Sequence, residues 1–112
     1  MNRETFSFGE IVLLQFPFTG ALSAKKRPAL VLKDTEDGDV IVCRITSKMY
    51  NSGYDVAVDD WKKCGLKLPS VIRLHKIAAL EADLVHSILG EISGDQKSTC
   101  QKLLQSLFQT SE

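Results

Sequence analysis

The chain has no run approaching the roughly 18 apolar residues needed to span a bilayer, so no membrane segment is expected. Its opening, MNRETFSFGE, carries acid and lacks an uninterrupted apolar stretch, which argues against a signal peptide. Net charge is missing too: 14 basic residues balance 14 acidic ones across 112 residues. Global electrostatics therefore points to no nucleic-acid partner, and any basic site has to be a local cluster. Paired cysteines are equally lacking. Cys43, Cys64 and Cys100 are odd in number, widely spaced and never CxxC, and only His75 and His86 could complete a metal site. The reading that follows is a cytoplasmic protein with three reduced thiols and no metal or other cofactor.

What is present is an ordinary globular balance, with 44% hydrophobic and 25% charged residues. One domain over residues 1–112 is expected. Ile11–Leu14 is an apolar run closed by Pro17, RPALVLK is a second, and VIVCRITSK is β-branched and strand-like. The acid- and glycine-rich DTEDGD between the last two reads as a hairpin turn. YDVAVDD alternates, placing Tyr54, Val56 and Val58 on one face and Asp55, Ala57 and Asp59 on the other. From Pro69 to Ile92 the pattern is ambiguous, because SVIRL starts as a strand while Ile77, Leu80, Leu84 and Ile88 recur at near-helical spacing. Residues 94–109 read as an amphipathic helix. Ser93 and Gln96 have the form of a capping box, and Cys100, Leu103, Leu104, Leu107 and Phe108 make one stripe. Short spacing between strands leaves no room for crossover helices, so the fold class is α+β, mainly β, with an antiparallel sheet or small barrel.

The familiar catalytic signatures are absent: no Walker-type phosphate loop, no GxGxxG after a strand, no HExxH and no GxSxG. Three features carry the remaining chemistry. Lys25, Lys26 and Arg27 are consecutive cations in the loop from Thr19 to Pro28, suited to a phosphate backbone or simply to a solvated turn. Thr46, Ser47 and Lys48 end an apolar strand, where hydroxyls donate to phosphate oxygens or close a turn. His75 is a general acid or base by type, or an outward residue of a strand. Trp61 is suited to base stacking or to packing, and Met49 and Tyr50 finish the loop after the hydroxyl pair.

Taken in order, these motifs resemble the MazF/PemK family of toxin endoribonucleases from type II toxin–antitoxin pairs. GEIVLLQFPF resembles the family's opening strand, and a loop runs from Gly20 to RPALVL with Arg27–Pro28 at the family's spacing. RITSK resembles its Thr-Ser signature, and GLKLPSVIRLHKIAAL and LGEIS its closing strands. The resemblance implies an SH3-like small barrel of the MazF/CcdB type with a C-terminal amphipathic helix, assembled as a homodimer. It also implies that Val71–Leu80 is strand. The implied activity is metal-independent cleavage of single-stranded RNA by its own 2′-hydroxyl, held in check by a cognate antitoxin protein. Arg27 and Thr46 would then be the catalytic pair, and Lys25, Lys26, Ser47, Lys48, His75 and Lys76 would bind RNA, with His75 in reserve as the base. Leu22, Lys25, Lys76 and Ala78 depart from the residues common in the family, which bears on base specificity and loop closure. A non-catalytic nucleic-acid-binding or gyrase-poisoning module on the same fold is the alternative.

Overall fold

In a computed structural model, residues 5–15 and 25–110 are described. They form β1 (Glu10–Gln15), β2 (Lys26–Asp34), β3 (Asp39–Thr46), β4 (Asp55–Ala57), β5 (Val71–Glu81), β6 (Val85–Glu91) and the helix α1 (Gly94–Leu107). The strands make one antiparallel sheet in the order β4-β5-β3-β2-β1-β6. The stretch with two rhythms is therefore strand, as expected, broken by a single helical turn at Ala82–Leu84. Of the hydrophobic cores, one sits on the α1 side, where Ile11, Leu30, Cys43, Ile72 and Leu74 meet Ile92 and Cys100. A second lies on the opposite face, with Val12, Leu14, Val31, Val42 and Val85. A sheet buried on both faces explains why β1 to β3 read as nearly continuous apolar runs.

The β2–β3 hairpin turns where DTEDGD predicts. Asp34 accepts the Glu36 amide at 2.9 Å, and Gly38 takes φ 97°. Asp37 likewise accepts from Thr35 Oγ1 and the Asp39 amide within the turn. Against β3, β5 changes register by three residues: Cys43 faces Ile77 but Arg44 faces Arg73. Leu74, His75 and Lys76 thus have no counterpart, and β5 bends there.

The barrel is open. β4 and β6 are the two edges of the sheet and do not pair with each other. β4 is only three residues long, so the chain leaves the ladder before it can reach β6. Residues 58–70 cover the seam instead. Val58 donates to Ser70 O at 2.9 Å, and the Cys64 thiol donates to Glu91 O at 3.3 Å. Gly65 and Gly90 let the loop backbone lie directly on β6.

Two expectations need correction. Val56 and Val58 are buried as the alternation predicts, but Tyr54 is 42% exposed, while the Asp55 side chain is 2% exposed and bonded to Arg73. The strand begins only at Asp55, so Tyr54 escapes the pleat. In the helix, Ser93 caps the Gln96 amide at 3.2 Å, but the reciprocal half of the box is not made. The Gln96 amide instead accepts from Asp59 N at 3.1 Å and donates to Ala57 O at 2.6 Å, pinning α1 to the end of β4. The apolar stripe is buried at Cys100, half-buried at Leu103, Leu104 and Leu107, and lost at Phe108, which lies past the helix end and is 68% exposed.

Candidate active site

The ends of β2 and β3 and the seam loop enclose a half-open cavity of about 360 Å³. One wall is Lys26, Arg27 and Pro28 at the start of β2, and a second is Ile45, Thr46 and Ser47. Lys67, Leu68 and Ser70 from the seam loop face them, over a floor that includes Leu13, Leu66 and Leu89. The β2–β3 register, Ala29 opposite Arg44 and Leu30 opposite Cys43, sets Arg27 opposite Thr46 when carried two residues further. The hairpin register thus brings two short motifs distant in sequence to the same end of the sheet, where both line one cavity.

The electrostatics have one sign. Lys26, Arg27 and Lys67 line the cavity, and no acid is among its described lining residues. Among the described residues no carboxylate pairs with Arg27. Thr46 Oγ1 accepts the Lys48 amide at 3.1 Å, so the hydroxyl closes a turn and that bond leaves its proton to donate. Of the two readings of the Thr-Ser pair, the turn closure is the one this bond makes. Ser70 donates to Leu68 O at 2.8 Å and shapes the opposite wall. A cavity with a guanidinium, a turned hydroxyl and two ammonium groups beside apolar lining suits a phosphodiester carrying an organic group.

A profile of the PemK-like, MazF-like toxins of type II toxin–antitoxin systems matches residues 7–108. The chain belongs to this family. Solved structures agree on the fold. The Mycobacterium tuberculosis toxin MazF-mt6 superposes with a TM-score of 0.73 at 20% identity, covering 92% of this chain and 99% of that one. MazF from Deinococcus radiodurans gives 0.71 at 21% identity, over 95% and 97%. A mycobacterial endoribonuclease solved with its cognate antitoxin gives 0.73 at 16% identity, over 96% and 100%. No curated protein matches the chain.

In this MazF-like chain, Arg27, Thr46, Lys26 and Ser47 share the cavity, and Lys25 is exposed immediately before Lys26. Lys48 lies next along the chain, with its Nζ 5.4 Å from the Tyr50 ring centre. His75 and Lys76 are elsewhere. They sit on the bend of β5, where His75 packs against Tyr54 and Arg73 and Lys76 is exposed. Leu22 lies outside the described residues, as does the rest of the loop 16–24. Trp61 is half-buried against the α1-side core, which makes it a packing residue. Sequence reasoning missed Lys67. Its only signal is a cation between two leucines in GLKLPS, a pattern equally typical of an exposed loop.

Proposed function

We propose that this chain is an endoribonuclease toxin that cleaves single-stranded RNA in the cytoplasm as a homodimer, without a metal, and is neutralised by a cognate antitoxin. The observation that carries the reading is a cavity lined by Lys26, Arg27, Thr46 and Lys67, with no acid among its described lining residues. In the reaction the ribose 2′-oxygen bonds to phosphorus and the bond from phosphorus to the 5′-oxygen breaks. The products are a 2′,3′-cyclic phosphate and a 5′-hydroxyl. Arg27 stabilises the charge that builds on the pentavalent phosphorane, and the proton that the 2′-hydroxyl gives up passes through solvent water to the leaving 5′-oxygen. Thr46 donates to a non-bridging oxygen, and Lys26 and Lys67 hold the neighbouring phosphates.

Among the described residues, His75, the base in reserve, does not line this cavity, and neither does any carboxylate. The loop sequence 16–24 adds no acid or histidine. Arginine is a poor base, its pKa being above 12. Rate enhancement in this scheme rests on charge stabilisation, where one well-placed donor is worth about 2.7–4 kcal/mol, or on the order of 10²–10³ in rate. The family supports the toxin reading, and its mycobacterial relatives described as endoribonucleases support the chemistry. The relatives solved with antitoxins support the partner.

Metal-free incubation of the antitoxin-free protein with a long single-stranded RNA, followed by mapping of fragment ends, tests the proposal. Cyclic phosphate ends are expected, with turnover down on the order of 10²–10³ in Arg27→Ala and no recovery in Arg27→Lys, which lacks the planar fork. Thr46→Val should also slow the cut while leaving the fold intact. Folded protein that leaves varied RNAs whole would end the nuclease reading.

A further inference from the structure

Next to the cavity, the chain that leaves Thr46 and Ser47 runs through Lys48 and Met49 to Tyr50 and lays that ring on the edge of the sheet. The Arg73 guanidinium carbon is 3.6 Å from the Tyr50 ring centre, a stacked cation. Arg73 cannot swing away, because its Nε donates to Asp55 Oδ1 at 2.9 Å and that carboxylate is almost fully buried. Its Nη2 is 3.5 Å from His75 Nε2, and the His75 ring meets the Tyr54 ring at 5.3 Å with a 41° tilt. The result is a row, Tyr50, Arg73, His75 and Tyr54, in which polar groups clamp two aromatic rings from beneath. Both tyrosines nonetheless remain more than one-third exposed, at 37% and 42%, beside the open Met49. Aromatic rings held this rigidly and left uncovered are not needed by either core. His75 Nδ1, buried with no partner, also marks the cluster as more than packing, since structural histidines are normally satisfied.

We propose that this face is a base-stacking subsite: unpaired bases of the single-stranded RNA flanking the scissile phosphate lie on Tyr50 and Tyr54, while Lys48 holds the intervening phosphate. The proposal rests on the RNA reading above. Tyr50 is four steps along the chain from Thr46, a reach of at most about 14 Å, which places the subsite within a few nucleotides of the cavity. Stacking is tolerant of sequence, because every base has a π-face, so the subsite adds affinity for length rather than for a motif.

The test uses 2′-O-methyl oligonucleotides, which lack the attacking hydroxyl and remain uncut. Fluorescence anisotropy compares a trinucleotide with an oligomer of roughly nine nucleotides on the intact protein. Removing a stacked ring costs about 1–3 kcal/mol per base, so Tyr50→Ala and Tyr54→Ala should each weaken the longer oligomer at least about fivefold. The trinucleotide should change little, and Tyr→Phe at either position should restore binding. The dependence of log affinity on log salt should keep its slope in the tyrosine variants and become shallower by about 0.7 in Lys48→Ala. Affinity for the longer oligomer unchanged in both alanine variants, or an equal loss for both lengths that phenylalanine does not restore, would overturn the subsite. Ring-dependent binding with no cleavage of natural RNA would keep the subsite and remove the nuclease. Binding of neither oligomer by the wild-type protein would remove both. RNA cleavage with ring-independent binding would leave the nuclease and discard the subsite.

Discussion

Replacing Gly65 by alanine should damage both the stability of this protein and its cavity, and three glycines allow the cause to be resolved. Gly65 has φ 84°, and a Cβ there would stand 2.3 Å from the Leu89 carbonyl oxygen. Gly90 has no such backbone constraint, but its Cβ would stand 2.5 Å from the Cys64 carbonyl oxygen. Gly38 is the converse, with φ 97° and no neighbour within 4 Å. The left-handed conformation costs a residue with a Cβ about 1–2 kcal/mol. Forcing a methyl group against backbone that cannot rotate away costs about 1–3 kcal/mol. Gly38→Ala should therefore lose about 1–2 kcal/mol, Gly90→Ala about 1–3 and Gly65→Ala about 2–5, the sum of the two effects. Urea titration at fixed pH measures each, with the midpoint moving and the slope constant. By heat, each kcal/mol should lower Tm by roughly 4 °C or more in a domain of this size. Because residues 65–68 form one wall of the cavity, Gly65→Ala should also raise KM for RNA, whereas Gly38→Ala should not. A Gly65→Ala variant no less stable than Gly38→Ala would show that the seam loop does not press on β6, and the account of how the open barrel is sealed would fail.

The Asp55–Arg73 pair predicts an acid-sensitive fold edge. Burial pushes the Asp55 carboxyl up, but hydrogen bonds from Arg73 and Ser52 and the guanidinium charge outweigh it and hold the group down at about 2. A depressed carboxyl stabilises the fold above its ordinary value of 3.8, and that contribution fades as pH falls from there through about 2. Asp55→Asn should cost about 1.5–3 kcal/mol at neutral pH, the worth of a hydrogen bond to a charged group, and should flatten the acid limb of the stability curve. Gln96→Ala should cost about 2–6 kcal/mol, since it strips partners from two backbone groups at about 1–3 each. Ser93→Ala should cost only about 1 kcal/mol as a lost cap, and calorimetry of the two variants checks the ranking. Desolvation raises all three thiols, Cys100 to about 11, so none should alkylate at pH 8 until the protein unfolds, as timed mass spectrometry would read.

Where one strand and its immediate neighbour decide the structure, the sequence is a faithful guide. Val40, Val42, Cys43 and Ile45 announce β3, and DTEDGD announces the hairpin that pairs it with β2. The two short motifs of the cavity are legible for the same reason, since each lies at the end of a strand whose register follows from that hairpin. Gln96 misleads because the capping-box pattern counts only residues within the helix. Its side chain finds two backbone groups at the end of β4, and a pair of buried hydrogen bonds outweighs one at an exposed helix start.

His75 shows where such reasoning stops. A β-strand read residue by residue has a period of two, and a side chain's face follows from counting. Between Arg73 and Ile77 the count no longer holds, because Leu74, His75 and Lys76 are extra relative to β3 and the strand turns a corner. Nothing in LHKIA marks the place with glycine or proline. The bend is set by partners distant in sequence: the Tyr54 carbonyl accepts the Leu74 amide at 3.0 Å, and Asp55 fixes Arg73. Those partners carry His75 away from Arg27 and Thr46 and set it between Arg73 and Tyr54. The same bend that takes a candidate base from the cavity thus builds the aromatic face beside it, so loosening the Asp55–Arg73 tie should release Tyr50 and His75 together.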